Sequence, residues 1–264
     1  MSTGLRPLSP AQATRPAVEL AYLAAFVAAE LVGLWHPLAG GVCDGVLVIA
    51  LINQYVLAER DHRQPLLLAL AVVCLYRLLA LTPLPANDFT NHLVLVGAPA
   101  LMATVLALRV LGAPWPSLRV QPRLLGVQAL IALSGIPLAY GAYKLLNPGF
   151  VVTFSGTGRS HSAAVAATVI ALVVFSGIGE EVLFRSLVHN AARSTFGASA
   201  LYVSAVVFGA AYMGTRSAPF VLFAVAVGAF FGWCYERTGS VVGVALAHSL
   251  ISVGVFVVLP SLSH

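Results

Sequence analysis

The chain has 264 residues, of which 59% are hydrophobic and only 9% charged, and its mean hydropathy is +0.94. A soluble domain carries about a quarter charged residues because its surface must be solvated. Nine acids and fourteen bases therefore exclude a water-soluble enzyme, a disordered regulator and a conventional nucleic-acid module, and imply an all-α, polytopic transmembrane helix bundle. The net charge of +5 is read as basic loops facing anionic lipid headgroups, not as a nucleic-acid surface.

In chain order, the polar stretch Met1–Pro16 has no small-residue cleavage site close behind it, so the apolar run that follows is read as a retained span. A spanning helix needs about 20 mostly apolar residues. Nine segments meet or approach this: 18–35, 42–58, 65–82, 92–111, 124–146, 162–188, 198–213, 217–235 and 240–259. Several have short edges, so the count is nine spans, or eight if one does not cross. Proline and glycine mark the connections at His36–Gly41, Thr82–Pro85, Gly112–Pro116 and Asn147–Gly149. Cys43, Cys74 and Cys234 are scattered and read as small buried hydrophobes rather than a disulfide framework.

Basic residues set the orientation. With the N-terminus cytoplasmic, Arg6, Arg15, Arg60, Arg63, Arg109, Arg119, Arg123, Arg185, Arg193 and Arg237 fall inside. Lys144, Arg159 and Arg216 fall outside, and Arg77 lies within a span. This asymmetry places the N-terminus in the cytoplasm and the C-terminus outside. Arginine outnumbers lysine thirteen to one, which points to a GC-rich bacterial source and hence to the cytoplasmic (inner) membrane. The pairs Gly228-x-x-x-Gly232 and Gly239-x-x-x-Gly243 are expected to let helices approach closely.

Ionisable groups within spans cost roughly 2.5–3.5 kcal/mol each on insertion scales, so each needs a reason. Glu30, Asp44 and Arg77 lie near the outer ends of three spans and read as a structural ion pair, or else as an ion or substrate pathway. In Ser176-Gly177-Ile178-Gly179-Glu180-Glu181-Val182-Leu183-Phe184-Arg185, the four-residue spacing puts Glu181 and Arg185 on one helix face, where they neutralise each other. Glu180 points about 100° away and has no counter-ion in its own sequence neighbourhood. That is the setting of a general base or acid working near neutrality, unless a second helix supplies a structural partner. His248 and Ser252 share a face of the last span. Counted from the cytoplasmic helix ends, Glu180 and His248 both lie about 12–14 Å deep at 1.5 Å per residue, and are expected to meet in one cavity open to the cytosol. His36, His92, His161 and His189 are expected in loops or near helix ends. No three-ligand spacing indicates a metal, and no Gly-x-Ser-x-Gly elbow indicates a serine triad.

Together, Glu180-Glu181-x-x-x-Arg185, Phe208-x-x-x-Tyr212, Glu236-Arg237-Thr238-Gly239-Ser240 and His248-x-x-x-Ser252 resemble the CPBP family. These are glutamate intramembrane endopeptidases of the CAAX prenyl-protease and bacteriocin-processing type. The resemblance covers roughly residues 124–259, which divides the chain into a four-span region, 1–123, and a catalytic core, 124–264. It implies that Glu180 activates water, that His248 helps hold the oxyanion, and that Glu181, Arg185 and Phe208 are structural parts of the motifs. Tyr212 stands where the family usually has histidine and Ser252 where it usually has asparagine. Tyrosine is a poor base with an ordinary pKa near 10, though it donates a hydrogen bond, and serine donates with a shorter reach than asparagine. The implied activity is cleavage of a membrane-delivered protein or peptide substrate, as in C-terminal processing or sorting-signal removal, with no cofactor, metal or nucleic-acid partner. Two other readings stay open: a catalytically silent scaffold or regulator, suggested by Tyr212 and Ser252, and a small transporter, suggested by Glu30, Asp44 and Arg77.

Overall fold

The computed structural model describes residues 16–58, 64–81, 89–116, 118, 121–146 and 159–262, apart from the side chains of 159–161. Arg6, Arg15, Arg60, Arg63 and Arg119 and the linkers Thr82–Pro85 and Asn147–Gly149 lie outside the described residues, as do the side chains of Arg159 and His161. The described residues contain no strand. The fold is an all-α helix bundle with seven helices long and apolar enough to cross a membrane, and a shorter apolar one at Pro65–Ala80.

The N-terminal helices are α1 (Pro16–Trp35), α2 (Pro37–Leu57), α3 (Pro65–Ala80), α4 (Phe89–Val110) and α5 (Leu125–Leu145). Prolines open α2 and α3, where the missing N–H is no loss and φ is already helical. This is why the expected loop His36–Gly41 is largely helix: only His36 interrupts the run. The expected start at residue 42 is corrected to Pro37.

Next come α6 (Arg159–Ala171), π-helical stretches at Leu172–Gly179 and Val182–His189, and α7 (Asn190–Phe196), in one continuous run. A turn at Gly197, with φ of 55°, leads into α8 (Ala200–Ala211). The apolar run Ser162–Thr215 is therefore two arms, and the nine expected segments each find a helical run among the described residues. The bundle closes with α9 (Ala218–Thr238) and α10 (Val242–Val253), the latter continued through a π-helical turn at Gly254–Val258.

Neighbouring helices pack as α1–α2–α3–α4, α8–α9 and α5–α10, and the Leu172–Gly179 stretch sits between α4 and α10. One apolar core joins Phe26, Leu51 and Leu70 of the N-terminal helices to Phe184, Leu187 and Phe208. Gly228 approaches Ala205 and Phe208 of α8, and Gly232 faces Leu201, as small residues at a helix interface should. Gly239 is different: it ends α9 with φ of 65° and has nothing packed on it. Its role is the left-handed turn, not helix packing. Gly243 instead lies on Gln128, whose Oε1 accepts from the Gly243 N–H at 2.6 Å.

Candidate active site

Glu180 and Glu181 lie between the two π-helical stretches. Such widened winding is rare and tends to occur at functional sites, and a count at 3.6 residues per turn does not foresee it. Both carboxylates are buried, but they have different company.

Glu181 accepts from Arg185 Nε at 2.8 Å, as the four-residue spacing predicts. Its second oxygen bonds His248 Nδ1 at 2.8 Å, a contact between distant helices that sequence spacing does not reveal. Arg185 is fully buried. It donates Nη1 to the Gly228 carbonyl at 3.0 Å and lies over the Phe208 ring at 5.2 Å. Phe208 also packs edge-on against Phe184 and His248. The chain Arg185–Glu181–His248 thus fixes one face of the imidazole and turns its Nε2 toward Glu180, 3.9 Å away.

Glu180 is held by neutral hydroxyls. Tyr212 donates to its Oε2 at 2.6 Å, and Tyr76 of α3 donates to its Oε1 at 3.1 Å. The Tyr212 hydroxyl also lies 3.5 Å from His248 Nε2, so it joins the base and the imidazole. Tyr76 escaped sequence reading because a tyrosine in an apolar helix looks like a core aromatic. The signal that could have found it is its neighbour, the singled-out Arg77. Ser252 meets none of these groups; its hydroxyl shares a 2.9 Å bond with Ser176 at the cavity wall.

The cavity over this site holds about 260 Å³ and is lined by Glu180, Tyr76, Tyr212, His248, Ser252 and His92, among mostly apolar side chains. Glu180 and His248 therefore share a cavity, as expected. Its direction is corrected. The lining draws on late α3, early α4, late α8 and early α9, which is one end of an alternating bundle. That end also carries Glu30 and Asp44 and lies opposite Arg109, Arg123, Arg193 and Arg237. With the N-terminus inside, the cavity faces away from the cytosol.

At the opposite end, His189 is not in a loop but buried, bonded to Ser204 at 3.0 Å and to Glu236 at 3.2 Å. Glu236 also accepts from Arg193, and Asn190 donates to the Tyr235 hydroxyl at 3.1 Å. Through these bonds the Tyr235–Ser240 segment has a structural role, tying the end of α9 to α7. Arg77 pairs with Glu30 at 2.6 Å, the structural pairing expected of that cluster, while Asp44 lies beside the pair without a direct bond to it.

An apolar helix bundle with a buried carboxylate and a histidine at one cavity wall defines the class: a polytopic membrane protein. Residues 162–254 match the family described as type II CAAX prenyl endopeptidase Rce1-like. This bears out the resemblance read from the motifs and supports an intramembrane protease in general terms. No match was found among curated proteins or solved structures.

Proposed function

We propose that the protein is a glutamate-type intramembrane endopeptidase acting on membrane-delivered protein or peptide substrates. The observation that carries this is the convergence of Glu180, Tyr212 and His248 at one cavity wall. Each Glu180 oxygen retains a lone pair beyond its tyrosine bond. A water placed there gives its proton to Glu180 while its oxygen attacks the scissile carbonyl. Glu180 then passes that proton to the leaving amine, so the base is regenerated. The oxyanion formed in between needs a donor, and His248 Nε2 is the nearest ring N–H when the imidazole carries both protons.

The balance of charge permits that state. Glu180 and Glu181 as anions, with Arg185 and His248 as cations, sum to zero. Moving one proton from His248 to Glu180 leaves the sum at zero. The set can therefore shift a proton internally without exposing a net charge to the apolar bundle, where a lone charge is expensive. Glu181 and Arg185 act through His248 by holding its orientation.

The silent-relative reading draws on one observation: the Ser252 hydroxyl is bonded to Ser176. The deciding experiment is Glu180→Gln, which keeps shape and removes the proton acceptor. It is expected to abolish cleavage in membranes and to accumulate the uncleaved substrate while leaving thermal stability nearly unchanged. Cleavage at the parental rate would end the glutamate mechanism.

A further inference from the structure

A second chamber of about 570 Å³ adjoins the active-site cavity and shares Tyr76, His92, Tyr212 and Thr215 with it. Its wall is built differently. Small residues of α1 and α2 border it, with Gly40 packed closely on Gly33 and Ala29, and Glu30, Asp44 and Arg77 line it. Arg77 gives its Nε to Glu30, so those two charges cancel. Asp44 is only 3% exposed, yet its Oδ1 has no hydrogen-bond partner among the described residues. A buried carboxylate oxygen without a donor is costly, and native structures rarely leave one. Arg216 also borders the chamber, but it is exposed, where solvent and salt screen its charge.

We infer that this chamber is a subsite for a cationic group, a lysine or arginine side chain of the polypeptide substrate, with Asp44 as its counter-charge. The requirement comes from the chemistry left unsatisfied: an acceptor without a donor, and two carboxylates to one guanidinium when Asp44 is ionised, call for a ligand that donates hydrogen bonds and carries positive charge. A long aliphatic stem suits the passage, since lysine and arginine lay their methylenes along apolar walls and deliver the charged head to a polar site. The common wall places the subsite beside the scissile bond, so the basic residue would flank the cleavage point. Identifying the cation as part of a substrate rests on the endopeptidase reading above; the existence of the cation site does not.

The test separates the two. The full-length protein in detergent micelles is titrated with ethylguanidinium chloride, with ethylurea as the neutral analogue and sodium chloride at equal ionic strength. Ethylguanidinium is expected to raise the melting temperature in the parent and in Glu180→Gln, while ethylurea and sodium do not, and Asp44→Asn is expected to remove the rise. Equal responses to all three additives, or a rise retained in Asp44→Asn, would overturn the site. If Asp44→Asn does not accumulate, the comparison of charged with neutral additive in the parent decides. For the substrate, arginine is moved residue by residue through a peptide that the parent cleaves and Glu180→Gln does not. One flanking position is expected to raise kcat/KM about tenfold or more over norleucine, as charged hydrogen bonds do. No preferred position in such a peptide would overturn the substrate assignment while leaving the protease reading intact.

Discussion

Arg185→Ala offers a test of how the site and the bundle are tied together. The guanidinium and the Glu181 carboxylate are both 0% exposed. Truncation at Ala removes the 2.8 Å bond to Glu181 and the 3.0 Å bond to the Gly228 carbonyl, and strands an anion inside an apolar core. Breaking a buried pair from one side costs about 3–5 kcal/mol. The Gly228 carbonyl keeps its helical partner within α9, and the emptied space over Phe208 adds a packing loss. Against a total stability of about 5–15 kcal/mol, such a variant should yield much less folded protein and a clearly lower melting temperature in detergent. The double change Glu181→Gln with Arg185→Gln removes both charges together and should melt closer to the parent. It still loses the carboxylate that orients His248, so its turnover should stay low while its stability recovers. Thermal unfolding and cleavage measured on the same preparations check both halves. If Arg185→Ala melts like the parent, the pair is not structural.

The hydroxyls on Glu180 separate by geometry: Tyr212→Phe, which loses the 2.6 Å bond and the link to His248, should slow cleavage more than Tyr76→Phe, which loses the 3.1 Å bond. Initial rates of the two variants on one substrate check the order, and a reversed order would argue against Tyr212 as the link between base and imidazole. For topology, an N-terminal tag should be cytoplasmic and a C-terminal tag outside; reporters placing both ends on one side would mean that one span is miscounted.

Much of the bundle is legible in the sequence because hydropathy and proline placement act locally. Apolar length finds the spans, and Gln64-Pro65 or Ser217-Ala218-Pro219 mark where helices begin; Ser217 accepts from the Phe220 N–H as a cap. The Glu181–Arg185 pair is equally local, four residues on one helix. The site becomes illegible where partners lie far apart in the chain. Nothing in the sequence pairs Glu181 with His248, or Tyr76 with Glu180 across 104 positions, because those contacts depend on how α3, α8 and α10 surround the central run. The winding itself is also hidden. A period count assumes α-helix throughout, whereas Leu172–Gly179 and Val182–His189 are π-helical, so faces counted across those stretches drift from the expected ones. Gly239 misleads for a related reason: a glycine four residues before another suits a helix interface or a helix end, and only the φ of 65° tells them apart.

The orientation expected for the site rests on the distribution of bases. Bases gather at the bundle end holding Arg109, Arg123, Arg193 and Arg237, and the positive-inside regularity assigns that end to the cytoplasm. The active-site cavity and the chamber around Asp44 both lie at the other end. There Glu30 pairs with Arg77, and Arg216 borders the chamber. If the N-terminus is cytoplasmic, as the tag experiment tests, a polypeptide reaching Glu180 enters from the outer face or from the membrane plane. The same geometry makes a basic side chain an apt recognition element, since Asp44 lies inside the chamber with an acceptor oxygen that has no partner among the described residues.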